Sequence, residues 1–112
     1  AVPLDAAIER LHAQFDDTIL HPEAERELIR AFAWYRAHGG DSIARAFLQE
    51  FERSAALLSQ NPGFGIAIGG DRRVYPLRRF PYSLIFRISE AGLRILVVAH
   101  QHRRPGYWRK RD

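Results

Sequence analysis

The sequence predicts an α+β domain: an antiparallel helical hairpin packed on a largely antiparallel sheet, in the order β-α-α-β-β-β, with an extra N-terminal amphipathic helix. Three observations predict it. Apolar residues recur at three- and four-residue spacing through the N-terminal half. From Arg72 onward the period shortens, and aromatic and β-branched residues dominate. No alternation of strand and helix patterns signals parallel crossovers.

The elements follow in order. Leu4, Ile8, Leu11 and Phe15 share one face of a short helix with Pro3 near its start, and Asp16-Asp17 breaks it. Thr18-Ile19-Leu20 is a short strand. His21-Pro22-Glu23 opens the next helix, where proline loses no needed N–H and Glu23 and Glu25 suit the dipole. Leu28, Phe32 and Tyr35 form its apolar stripe, and Gly39-Gly40 ends it. Asp41 or Ser42 caps a third helix carrying Ile43, Phe47, Phe51, Ala55 and Leu58, stopped by Asn61-Pro62-Gly63. The short connection makes these two helices a hairpin. Residues 72–77, 82–88 and 94–100 read as strands, with Pro76 and Pro81 confined to strand ends and Ser89-Glu90-Ala91-Gly92 as a hairpin turn. The tail must bend after His100, because Pro105 lacks a donor and Gly106 invites a turn. Its expected path crosses the open face of the sheet near Arg73, Arg87 and His100.

The 112 residues are 46% hydrophobic and 27% charged, which is a globular composition and not that of a disordered tail. There is no cysteine, so disulfides, thiolate nucleophiles and cysteine-held zinc are excluded. The longest apolar run, Ile95-Leu96-Val97-Val98-Ala99, is far too short to span a bilayer. No signal peptide is visible, and the expected location is the cytoplasm. The net charge of +4 conceals an asymmetry: residues 1–62 carry −4 and residues 63–112 carry +8. Sixteen of the seventeen basic residues are arginine, whose planar fork grips phosphate or carboxylate. The basic half therefore suits an anionic partner, either nucleic acid or an acidic protein segment.

The candidate site residues lie there. Arg72, Arg73, Arg79, Arg87, Arg103 and Arg104 interleave with Tyr75, Tyr82, Tyr107 and Trp108, a pairing of cations and rings that also suits single-stranded RNA. His100 and His102 fall on one side of an extended chain, but the region after residue 71 supplies only Glu90 and Asp112 as further ligands. The reading is therefore no metal and no cofactor. Glu23, Glu25, Glu50 and Glu52 read as solvated helix faces. No phosphate-binding glycine loop and no nucleophile elbow occurs.

His21-Pro22-Glu23-Ala24-Glu25, the Trp34-Tyr35 pair, Asn61-Pro62-Gly63, Arg72-Arg73, Arg79-Phe80-Pro81-Tyr82 and the closing run from Val98 through His100-Gln101-His102-Arg103-Arg104-Pro105-Gly106-Tyr107-Trp108 together resemble the RelE/ParE family of type II toxin–antitoxin toxins, nearest its ParE-like, plasmid-stabilisation branch. The resemblance divides the chain into an N-terminal extension, residues 1–17, and a toxin domain, residues 18–112. The extension is also similar to the C-terminal ends of some antitoxins; an ordinary docking helix is the alternative. The resemblance implies a toxin that inhibits growth by binding an essential macromolecule such as DNA gyrase and is neutralised by a cognate antitoxin. The alternative it leaves open is a ribosome-dependent messenger-RNA endoribonuclease, in which Arg73, His102, Arg103 and Tyr107 would be catalytic. A non-toxic basic RNA- or protein-binding module is the third reading. Arg72, Arg79, Arg87, His100, Arg104 and Trp108 are the candidates for target or antitoxin contact. No membrane is implied, and a homodimer is left open. The chain departs from the nuclease pattern at Ser83, where that pattern has arginine, and lacks its helix-borne lysines.

Overall fold

The computed structural model describes residues 18–104 and 106–111, together with Ala6 and Glu9. Apart from Ala6 and Glu9, the expected N-terminal amphipathic helix, with its stripe of Leu4, Ile8, Leu11 and Phe15, lies outside the described residues. The elements run β1 (Ile19–Leu20), α1 (Pro22–Gly39), α2 (Asp41–Gln60), a 3-10 turn (Pro62–Phe64), β2 (Ile66–Gly69), β3 (Arg72–Pro76), β4 (Tyr82–Ser89) and β5 (Gly92–His100). They form a five-stranded sheet in the order β1-β5-β4-β3-β2, antiparallel except for the short β1–β5 pairing. The fold is therefore α+β, with two helices on one face of the sheet.

One strand corrects the sequence reading. Residues 66–69 form β2, an edge strand absent from the β-α-α-β-β-β order read from the sequence. This edge strand pairs only with β3, and its side chains are exposed, so it has no buried alternation to betray it. Gly65 just before it is packing-critical, because a Cβ there would sit 2.4 Å from the Phe86 ring.

The helix ends follow local chemistry. His21 caps α1 through its Nδ1, which accepts the Glu23 N–H at 3.0 Å. Gly40, at φ 88°, both ends α1 and caps α2; the expected Asp41 or Ser42 cap is displaced by it, and Asp41 is the first helical residue. A glycine suits this corner because the left-handed region penalises a Cβ. Ala24, Leu28, Ala31 and Phe32 of α1 meet Ala44, Phe47, Leu48, Phe51, Ala55 and Leu58 of α2 over Leu84, Phe86, Leu93, Ile95 and Val98 of the sheet. Ile43, placed on the apolar stripe by its spacing, is exposed.

The sheet has a second apolar face. Ile85 pairs with Val97 but Phe86 pairs with Ile95, so Leu96 is an extra residue in β5. The bulge resets the alternation. Leu93, Ile95 and Val98 face the helices, while Leu96, Val97 and Ala99 form another cluster with Ile85. Val74, Tyr107 and Trp108 pack against that cluster. The tail thus does return across the open face. Arg73 and His100, however, are not on that face. Arg73 is paired with Phe86, and His100 with Tyr82, both of which belong to the helix-side core.

Candidate functional site

The C-terminal tail is held by one buried carboxylate. Glu27 occupies the apolar register of α1, between Ala24 and Ala31, and is 7% exposed. Its Oε1 accepts the Val98 N–H at 3.1 Å and an Arg111 N–H at 2.7 Å. Its Oε2 accepts the Tyr107 hydroxyl at 2.6 Å and the other Arg111 nitrogen at 3.2 Å. Arg111 also donates to the Leu96 carbonyl at 3.2 Å. These contacts finish the part of the β5 edge that β1, two residues long, does not reach. A charge is tolerated there because every oxygen has a donor.

Tyr107 is affected accordingly. Burial first, and then its hydrogen bond to Glu27 and the charge there, push its hydroxyl above the ordinary tyrosine range. Its proton is held at neutral pH and aimed at a carboxylate. The Arg103 guanidinium lies over the ring, 4.3 Å from its centroid.

Beside this clamp runs a groove of about 670 Å³ between α1 and the ends of β4 and β5. Glu27, Arg30, Ala31, Trp34 and Tyr35 line it from the helix, Pro81, Tyr82, Val98, His100 and Arg103 from the sheet, and Tyr107 from the tail. Its rings support one another. Trp34 stacks on His38 at 4.3 Å and meets Tyr35 edge-on, and Tyr82 meets His100 edge-on at 5.1 Å. Burial pushes the Tyr35 and Tyr82 hydroxyls upward, and the neighbouring Tyr82 adds to the shift at Tyr35.

The sequence candidates separate into four places. His100, His102, Arg103, Arg104, Tyr107 and Trp108 gather at the end of β5, where the His102 N–H donates to the His100 Nδ1 at 3.1 Å. Arg72 and Arg87 lie on the open face on either side of Asp71, at 3.5 and 3.8 Å, and Arg72 also donates to the Arg111 carbonyl. Arg73 stands apart. Its Nε and Nη2 donate to the Gly65 carbonyl at 3.1 and 2.9 Å, tying the 3-10 turn to β3. The four residues of the nuclease pattern are therefore not assembled: His102, Arg103 and Tyr107 are together, and Arg73 is two strands away. Arg79 projects from the β3–β4 loop at φ 70°, exposed.

Sequence reasoning missed Glu27, Arg111 and the groove wall at Trp34. The available signal was Glu27 itself, a charge in an otherwise apolar stripe. Glu50 is also no solvated face. Its side chain is 11% exposed and binds Arg53 at 2.7 Å and the Arg78 N–H at 2.7 Å, while Arg53 reaches the Tyr75 hydroxyl at 3.0 Å. Burial alone would raise the Glu50 carboxyl, but these donors outweigh it and hold it below the usual range. Among the described residues no group of three or more His, Cys, Asp or Glu is placed to hold a metal, and no helix is long and apolar enough to cross a membrane.

A small α+β unit with a basic sheet face and a strapped C-terminal tail is the class that this geometry defines. The family model described as the ParE toxin of the type II toxin–antitoxin system parDE matches residues 18–105. The chain belongs to this ParE toxin family. Among solved structures it is similar to a chain of a chromosomal ParDE toxin–antitoxin system from P. aeruginosa, with a TM-score of 0.65 and 21% identity over 74% of this chain and 92% of that one. At that identity the likeness speaks for the fold. No curated protein matches the sequence.

Proposed function

We propose that this chain arrests growth by binding an essential macromolecular target such as DNA gyrase, and that a cognate antitoxin neutralises it. The observation that carries a binding mechanism over a nucleolytic one is the state of Tyr107. A general acid or base needs a pKa near the working pH and a free path to the reacting atom. Tyr107 has neither, since its hydroxyl is shifted upward and engaged by Glu27. Arg73, which would stabilise a phosphorane, instead spends its guanidinium on Gly65. The exposed Arg103 and Arg104 at the end of β5 suit an acidic protein partner.

The test sets two assays side by side on the purified chain. Inhibition of gyrase supercoiling, with no cleavage of messenger RNA on the ribosome, is the expected result. Ribosomal cleavage that is lost in Tyr107→Phe would reverse the assignment and restore the endoribonuclease reading.

A further inference from the structure

We propose that the β3–β4 loop is a rigid finger that presents Arg78 and Arg79 to an acidic patch on the protein target; the proposal rests on the target-binding reading above. Arg79 has φ 70°. Among the described residues it is the one residue other than glycine in the left-handed region, where a Cβ is penalised. Glycine or asparagine would relieve that strain at a turn. With arginine there and its side chain in solvent, the strain is carried for the guanidinium, not for the backbone.

The rest of the loop over-determines the corner. Leu77 and Phe80, on either side of the two arginines, are buried, and Phe80 meets Tyr35 and Phe47 edge-on at 5.2 and 5.4 Å. The Leu77 N–H donates to the Tyr82 carbonyl at 2.9 Å, and the Tyr82 N–H donates to the Phe80 carbonyl at 2.8 Å. The Arg78 N–H donates to the Glu50 Oε2 at 2.7 Å. Glu50, itself gripped by Arg53, is thus a positioning residue that fixes the root of the finger from α2. The Arg79 guanidinium lies 5.6 Å from the centroid of the Phe80 ring, which limits its swing. A contact group held in place before binding loses little freedom on binding.

The chemistry selects the partner. Among the described residues neither the Arg78 nor the Arg79 guanidinium is paired with a carboxylate. The Gln101 N–H donates to the Pro81 carbonyl at 2.8 Å and so ties the loop to the segment that carries the exposed Arg103 and Arg104. Guanidinium forks take carboxylates two-pronged, and such charge pairs fix the register of a protein–protein contact. Bases would find no open stacking platform beside the finger, because Tyr35, Phe47 and Phe80 are buried or half-buried. Strain at one corner also serves a single point contact, whereas duplex binding draws on cations spread along the phosphates.

The experiment titrates the full chain into purified DNA gyrase, free of DNA, by calorimetry. Arg79→Gly removes the cation and relieves the backbone strain. It is expected to bind about tenfold or more weakly, with a shallower salt dependence, and yet to melt no lower than the wild type. Lys110→Glu, a charge reversal on the exposed tail, should change affinity less than about threefold. If wild-type chain binds gyrase and Arg79→Gly binds it equally well, the finger is overturned while the target reading stands. If Arg79→Gly melts well below the wild type, the side chain serves the fold and the functional reading of its strain is overturned. If wild-type chain binds no gyrase, the target reading fails and the proposal falls with it. A fluorescein-labelled DNA duplex that binds wild type and is lost in Arg79→Gly, with gyrase affinity unchanged, would assign the finger to nucleic acid instead.

Discussion

Replacing Arg111 by methionine removes the charged partner of Glu27 and keeps much of the side-chain volume. The Glu27 carboxylate would remain at 7% exposure with two donors, the Val98 N–H and the Tyr107 hydroxyl. Breaking one side of a buried pair costs about 3–5 kcal/mol. Because two hydrogen bonds survive, the low end applies, about 3 kcal/mol. For a domain of this size that corresponds to a drop in Tm of roughly 12 °C. Urea and thermal unfolding followed by circular dichroism measure it. The double variant Glu27→Gln with Arg111→Met removes both charges together, so it should be more stable than Arg111→Met alone, with a coupling of about 1–3 kcal/mol. The reasoning is refuted if Arg111→Met unfolds within about 0.5 kcal/mol of the wild type, the scale of an ordinary surface change.

Three further outcomes follow from other parts of the molecule. Gly65→Ala drives a methyl group into the Phe86 ring and should cost about 1–3 kcal/mol in urea unfolding, as overpacking does. Glu50 has a depressed pKa in the fold, so its contribution is present above the unfolded carboxylate value and is lost as pH falls through the folded one; Glu50→Gln should flatten the acid limb of a stability–pH curve below about pH 4.5. Tyr107 is raised, so its contribution is complete below the unfolded tyrosine value and is lost as pH rises beyond it. Tyr107→Phe should therefore shrink the loss of stability above about pH 10, read by thermal melts across that range.

The helical hairpin was legible because its apolar residues follow a single period, and because Pro22 and the Gly39-Gly40 pair punctuate it. β4 and β5 were legible from composition. The bulge at Leu96 was not: an unbroken apolar run fits either phase, and only the pairing with β4 shows which residues face the helices. β2 escaped notice because an exposed edge strand buries nothing. At the candidate site the basic half was read correctly as a charge total, but total charge does not say which guanidinium is already engaged. Arg73 is held by a backbone carbonyl and Arg111 by a carboxylate 84 residues away in sequence. Partnerships of such separation leave no local pattern. Glu27 left half of one, a charge where the stripe called for an apolar residue.

Growth after induction tests the central claim most directly. The chain is expressed from a tight promoter in its own host or a close relative, once alone and once with the neighbouring antitoxin gene. Colony counts over the hours after induction are the readout. A toxin held in check by its partner predicts a fall in viable count of several orders of magnitude for the chain alone and full recovery when the antitoxin is present. Unimpaired growth of the strain expressing soluble, folded chain alone would contradict the account.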